Sequence, residues 1–291
     1  MRLSCKKLFP FVLFAATALS GFNGHPAEKK AQTNERVELY LNQSGADLMK
    51  HYPDRFQVSR HPAGLNFYVT DWRGDARGSV VIGKPHHAVT LSYILGATAT
   101  DDSNFADEQI INWEISAGIG EDSVIGHDEA RRRFFGILQA LRDAGWKRAI
   151  ELSQPRLKGK DALEYRKTRA SVYSLDPGYV LSLDEWMALK KRTTWSLYTD
   201  DAFLDISITP DPSRLDVNKP GAYFVEYSLQ AKNEYWRTVV GPNKRLQWKT
   251  ELPAVLTKLQ LLRKTKEEEF KKEHIAIDET YRDPPLPDLN R

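Results

Sequence analysis

The chain has 291 residues, with 42 Lys and Arg against 39 Asp and Glu, a net charge of +3 and a single cysteine. Arg2, Lys6, Lys7 and the cysteine, Cys5, all fall in a segment that reads as an export signal, and its removal leaves 39 basic against 39 acidic residues and no thiol. A neutral, thiol-free chain has no bulk field to draw phosphate, and disulfides, a thiolate nucleophile and cysteine metal ligands are excluded, so no nucleic-acid partner is expected.

The signal reading rests on order. Basic residues without an acid precede the uncharged run from Leu8 to Leu19, which is the layout of a signal peptide. That run is shorter than the roughly 20 residues needed to span a bilayer. Ala16-Thr17-Ala18 and Ala18-Leu19-Ser20 offer small residues to a peptidase, placing cleavage near Ser20. The expectation is a periplasmic or secreted protein with residues 1–20 removed. No long apolar run follows Leu19, so no membrane span is expected after cleavage.

Residues 21–62 read as a polar lead followed by a short helix from Val37 to Met49. A first α+β lobe is expected over 63–150. Its strands are Leu65 to Trp72, Ser79 to Ile82, Ala88 to Leu95 and Ile111 to Ser116, the last with Ile111, Trp113 and Ile115 on one face and Asn112, Glu114 and Ser116 on the other. His127 to Ala144 changes to helical spacing, with Asp128 and Glu129 in its first turn and Gly145 at its stop.

Residues 151–181 read as a basic connector broken at Pro155 and Gly159, with a short helix from Asp161. A second lobe over 182–273 repeats the outline. It has a helix from Ser182 to Arg192, strands at Trp195 to Asp200, Phe203 to Ile208, Tyr223 to Leu229 and Tyr235 to Val240, and a helix from Leu252 to Phe270 opened by Pro253. Tyr68-Val69-Thr70-Asp71 is echoed by Leu197-Tyr198-Thr199-Asp200. The expected fold is therefore α+β, two similar lobes, each an antiparallel sheet with a helix packed on one face. Residues 274–291 form a proline-rich tail expected to lie on the surface or disordered.

Motif-borne chemistry is absent. There is no Gly-x-Ser-x-Gly elbow, phosphate loop or histidine pair on a helix, and Gly118-Ile119-Gly120 is followed by Glu121 and Asp122, which repel a pyrophosphate. His86 and His87 are adjacent and cannot easily share an ion, and His127 sits where a helix is capped, so no metal or cofactor is expected. Arg131-Arg132-Arg133 and the run from Lys264 to Lys272 read as solvated helix faces. Trp72, Trp113, Trp195 and Trp236 fall in expected strands, where core packing explains them.

The densest oxygen-rich stretch, Asp101 to Glu108, lacks the spacing of an EF-hand and reads as a solvated connection able to face a basic partner. In layout, with its signal, its size and its missing chemistry, the chain resembles exported immunity-type proteins that neutralise antibacterial effectors delivered by type VI secretion. The resemblance implies a periplasmic, non-enzymatic inhibitor that binds another protein through an acidic or aromatic surface. The candidate partner-binding residues are Asp101, Asp102, Asp107, Glu108, Glu121 and Asp122. The competing class is an envelope hydrolase acting on carbohydrate with paired carboxylates, which need no sequence motif. A pocket holding two carboxyls of raised pKa favours the enzyme, and a flat or convex acidic face favours the inhibitor.

Overall fold

The computed structural model describes residues 36–72, 77–170 and 172–289, so the expected signal and the polar lead lie outside the described residues. In chain order the elements are β1 (Arg36–Leu39), α1 (Gly45–His51), β2 (Gln57–Arg60), β3 (Leu65–Asp71), β4 (Gly78–Ile82), β5 (Val89–Asp102), β6 (Ile110–Ala117), α2 (His127–Asp143), β7 (Lys147–Arg148), α3 (Gly159–Thr168), α4 (Leu183–Met187), β8 (Thr193–Tyr198), β9 (Ala202–Pro210), β10 (Tyr223–Ala231), α5 (Lys232–Val240) and α6 (Trp248–Lys272). The architecture is mixed, with one large sheet and helices on both faces.

The strands of both halves join a single ten-stranded sheet in the order β1-β4-β5-β6-β10-β9-β8-β7. The halves therefore do not build two separate sheets as expected. The joint is the antiparallel β6-β10 pair, in which Ile115 faces Tyr227 and Glu114 faces Ser228. Except for β1, which runs parallel to β4, every ladder is antiparallel. The sheet forks at β5. Its first half pairs with β4 and its second half with β3, which in turn carries β2.

Period-two alternation sorts the side chains between the two faces. Trp113 and Ile115 of β6, Tyr227 and Leu229 of β10, Ile206 of β9 and Trp195 of β8 all point to one side and are buried in the main core. Helix α2 covers that side, with Phe134 ring-packed on Trp195 at 4.8 Å. On the other side Phe203 and Tyr198 build a second apolar cluster with Trp236, Trp248 and Leu252 of α5 and α6. The helix after the first meander thus covers one face, and the helices after the second cover the opposite one.

Several expected elements differ. Residues 37–49 hold a strand and then a helix, because Val37 and Leu39 alternate inward in β1 and Ser44 caps a later start by accepting the N–H groups of Ala46 and Asp47. Tyr235 to Val240 is helical, since β10 runs into α5 with no intervening turn and a helix buries Trp236 and Arg237 together. The helix expected from Leu252 begins at Trp248, with Pro253 inside it. The helix expected from Ser182 to Arg192 is the shorter α4, held by a reciprocal capping box between Ser182 and Glu185.

The expected connector is a core segment. Leu157, Leu163 and Leu175 are buried, and Tyr165 packs edge-on against both Tyr173 and Phe270. The tail is docked too. The Tyr281 hydroxyl accepts the buried Ile150 N–H at 2.8 Å, and Asp283 pairs with Arg263 at 2.7 Å.

Candidate functional site

The sheet side opposite the main core is polar beyond the α5-α6 cap. Register aligns Thr98 of β5, Glu114 of β6, Ser228 of β10, Asp205 of β9 and Ser196 of β8 in one row across five strands. The neighbouring row is Gly96, Ser116, Glu226, Ser207 and Thr194. The floor is built of small hydroxyl side chains. Three carboxylates rise from it, and Phe203, stacked on Tyr235 of α5 at 3.5 Å and 4°, bounds one end.

Hydrogen bonds fix this surface. Ser228 donates to Glu114 Oε1 at 2.6 Å, and the Thr194 and Ser207 hydroxyls share a bond of 2.9 Å. Glu226 is paired with Arg192 at 3.2 Å. Glu114 and Asp205 both touch solvent, yet each carboxyl is crowded enough to be partly dehydrated. Desolvation raises Glu114 above the ordinary carboxylate range against the Ser228 bond, and the charge of Glu226 adds to the rise. Desolvation likewise raises Asp205, opposed by Ser196 and Arg192. Tyr235 is raised first by burial and then by the charge of Asp205, which places the phenol within reach of that carboxyl's field.

The six residues expected to form a partner surface are not one surface. Asp102 is 4% exposed and accepts the backbone N–H and side-chain amide of Asn104 while pairing with Arg245 at 3.1 Å. Glu108 takes Arg237 at 2.6 Å and Asn233 at 3.0 Å. Glu234 bridges the two arginines at 2.7 and 2.9 Å, and Phe105 lies under Arg237 at 3.8 Å. Burial alone would raise Asp102 and Glu108, but these hydrogen bonds and guanidinium charges outweigh it and hold both below the ordinary range.

Those two acids therefore clamp the β5-β6 hairpin onto α5 and the turn that follows it, Asp102 from the interior and Glu108 from a half-buried position. Asp101 accepts Asn66 and Tyr68 at 2.7 and 2.8 Å. Asp107 is exposed at the same hairpin tip. Glu121 and Asp122 are exposed beyond the far end of β6, so the eight-residue strand separates them from the tip by more than 20 Å, at ~3.4 Å per residue.

The other singled-out residues are structural. His127 is buried, with Nδ1 2.5 Å from the Tyr223 hydroxyl and Nε2 3.1 Å from the Asp216 carbonyl, and His87 Nδ1 lies 2.7 Å from the Ala144 carbonyl. Arg131 and Arg133 pair with Asp128 and Glu129 along α2. Trp72, Trp113, Trp195 and Trp236 are all buried. Among the described residues no group of three or more His, Cys, Asp or Glu could hold a metal ion, and no helix is long and apolar enough to cross a membrane.

Residue patterning showed half of the polar face. The alternation of Asn112, Glu114 and Ser116 marks the open side of β6, and Phe203, Asp205 and Ser207 carry the same period on β9. The signal missing from the sequence is that β10 brings the two together. No protein-family model, curated protein or solved structure matches this chain.

Proposed function

We propose that this chain is an exported, non-enzymatic protein-binding protein, a periplasmic immunity protein that inhibits an antibacterial effector, and that it meets its partner on the polar side of the sheet. The observation that carries this reading is the breadth of that side. Serine and threonine over five adjacent strands, with Glu114, Asp205 and Glu226 among them, make a surface suited to a macromolecule, whereas small-molecule sites are concave and mostly apolar. The signal-like start of the chain supports export.

Cross-linking in an envelope fraction, identification of the captured protein and reconstitution with the purified partner test the proposal. Ser228→Arg, which plants a bulky cation in the middle of the row, abolishes binding under this reading. Charge reversal at Asp107, Glu121 and Asp122 tests the remaining exposed acids without touching the clamp. Binding that survives Ser228→Arg but fails on Glu121 and Asp122 reversal moves the site to the end of β6.

A second reading, an envelope hydrolase acting on carbohydrate, is favoured by the raised pair Glu114 and Asp205. Their strands flank β10, so the backbones lie about 10 Å apart at ~4.8 Å per strand, on the order of the 6.5–9.5 Å between the carboxyls of inverting glycosidases. Release of soluble sugar from labelled peptidoglycan, lost in Asp205→Asn, would establish it.

A further inference from the structure

Most of the sheet's outer edge is occupied. On β1 the Glu38 N–H is taken by the Tyr52 hydroxyl at 2.9 Å. Along β8 the outer groups meet Ala149, Leu175 and the Ser174 hydroxyl at 2.8–3.0 Å, beside the short β7. Strand β2 differs. Among the described residues it pairs with β3 alone, and all four of its residues are exposed.

Its register fixes which backbone groups point outward. The His61 N–H donates to the Leu65 carbonyl at 2.7 Å, so in an antiparallel ladder the bonded pairs recur at Ser59 with Phe67 and Gln57 with Val69. Val58 and Arg60 therefore turn their N–H and C=O groups to the open edge. No bulge, proline or inward charge protects it, and only its shortness and Arg60 discourage pairing. We propose that β2 is a docking edge at which the partner protein adds an extended strand, pairing with Val58 and Arg60 and setting a carboxylate against Arg60.

Charge selects this occupant over a second copy of the chain. Arg60 is the one charge on β2, so pairing with a second copy of the strand offers it no counter-charge, whereas an acidic strand supplies one. The inference rests on the protein-binding reading and adds a second contact to it, on the edge of the sheet instead of its face.

The probe is the acetylated, amidated pentapeptide Thr-Val-Glu-Val-Thr, titrated into isotope-labelled protein with amide exchange read residue by residue. Exchange at Val58 and Arg60 slows, and shift changes stay within β2 and β3. Val58→Pro removes one outward donor while leaving the bonded positions Gln57 and Ser59 intact, so it weakens binding at least about tenfold with an unchanged melting temperature. An N-methylated peptide, or one with Lys in place of Glu, is weakened likewise. Unchanged exchange at Val58 and Arg60 at millimolar peptide, equal binding by Val58→Pro, or a concentration-dependent dimer lost in Val58→Pro overturns the proposal. An identified partner held equally by wild type and Val58→Pro, but lost in Ser228→Arg, overturns the edge and leaves the binding reading standing.

Discussion

Arg237 Nη2 lies 2.6 Å from Glu108 Oε2, joining α5 to the tip of the β5-β6 hairpin across 129 residues of sequence. The guanidinium is fully buried, with its Nε on Glu234 and its plane over Phe105. Losing Arg237 leaves Glu108 with Asn233 and Glu234 with Arg245, so the cost falls at the low end of the ~3–5 kcal/mol of a broken buried pair. Arg237→Ala should lower stability in urea by that amount. Arg237→Met combined with Glu108→Gln should recover much of the loss, because no buried charge is then stranded.

The same clamp sets the response to acid. Asp102 and Glu108 are held low in the folded state, so their stabilisation is present above the unfolded values of about 3.9 and 4.3 and is lost as pH falls through the lower folded values. Melting temperature should fall steeply below about pH 4, and the fall should be shallower in Asp102→Asn, whose baseline stability is already reduced. A titration of melting temperature by circular dichroism checks both.

Strands with one buried face were legible because alternation encodes burial directly. Ile111, Trp113 and Ile115 point inward as their spacing requires, and α2 stops before Gly145, which takes a φ of +87°. What was illegible depended on partners far along the chain. Asp102 and Glu108 look like solvated loop acids until Arg245 and Arg237 arrive 143 and 129 residues later. Tyr235 to Val240 carries aromatic and β-branched residues that favour a strand, yet the stack of Tyr235 on Phe203 and the Glu234-Arg237 pair, three residues apart, require a helix.

Asp205 and Glu114 should behave in the opposite sense to the clamp. A carboxyl whose folded pKa is raised holds its proton more tightly when folded, so its cost to stability sets in as pH rises through the unfolded value and is full above the folded one. Asp205→Asn should therefore raise the melting temperature at neutral pH. The gain should vanish below the unfolded value of about 3.9, where both forms are neutral. A gain that persists at pH 3 would assign the effect to packing and not to charge.

The tail gives a sharp test of docking against disorder. Tyr281 is 9% exposed, and its hydroxyl is the acceptor for the N–H of Ile150, a residue only 1% exposed. Tyr281→Phe keeps the ring and removes only that acceptor, so it should cost about 1–3 kcal/mol. Deleting the chain from Asp278 onward should cost more, because it also strips Asp283 from Arg263, a residue only 6% exposed. A disordered tail would predict no change in either variant. Loss of protection at the Ile150 amide in hydrogen exchange, with β8 and β9 still protected, would locate the damage at the docking site.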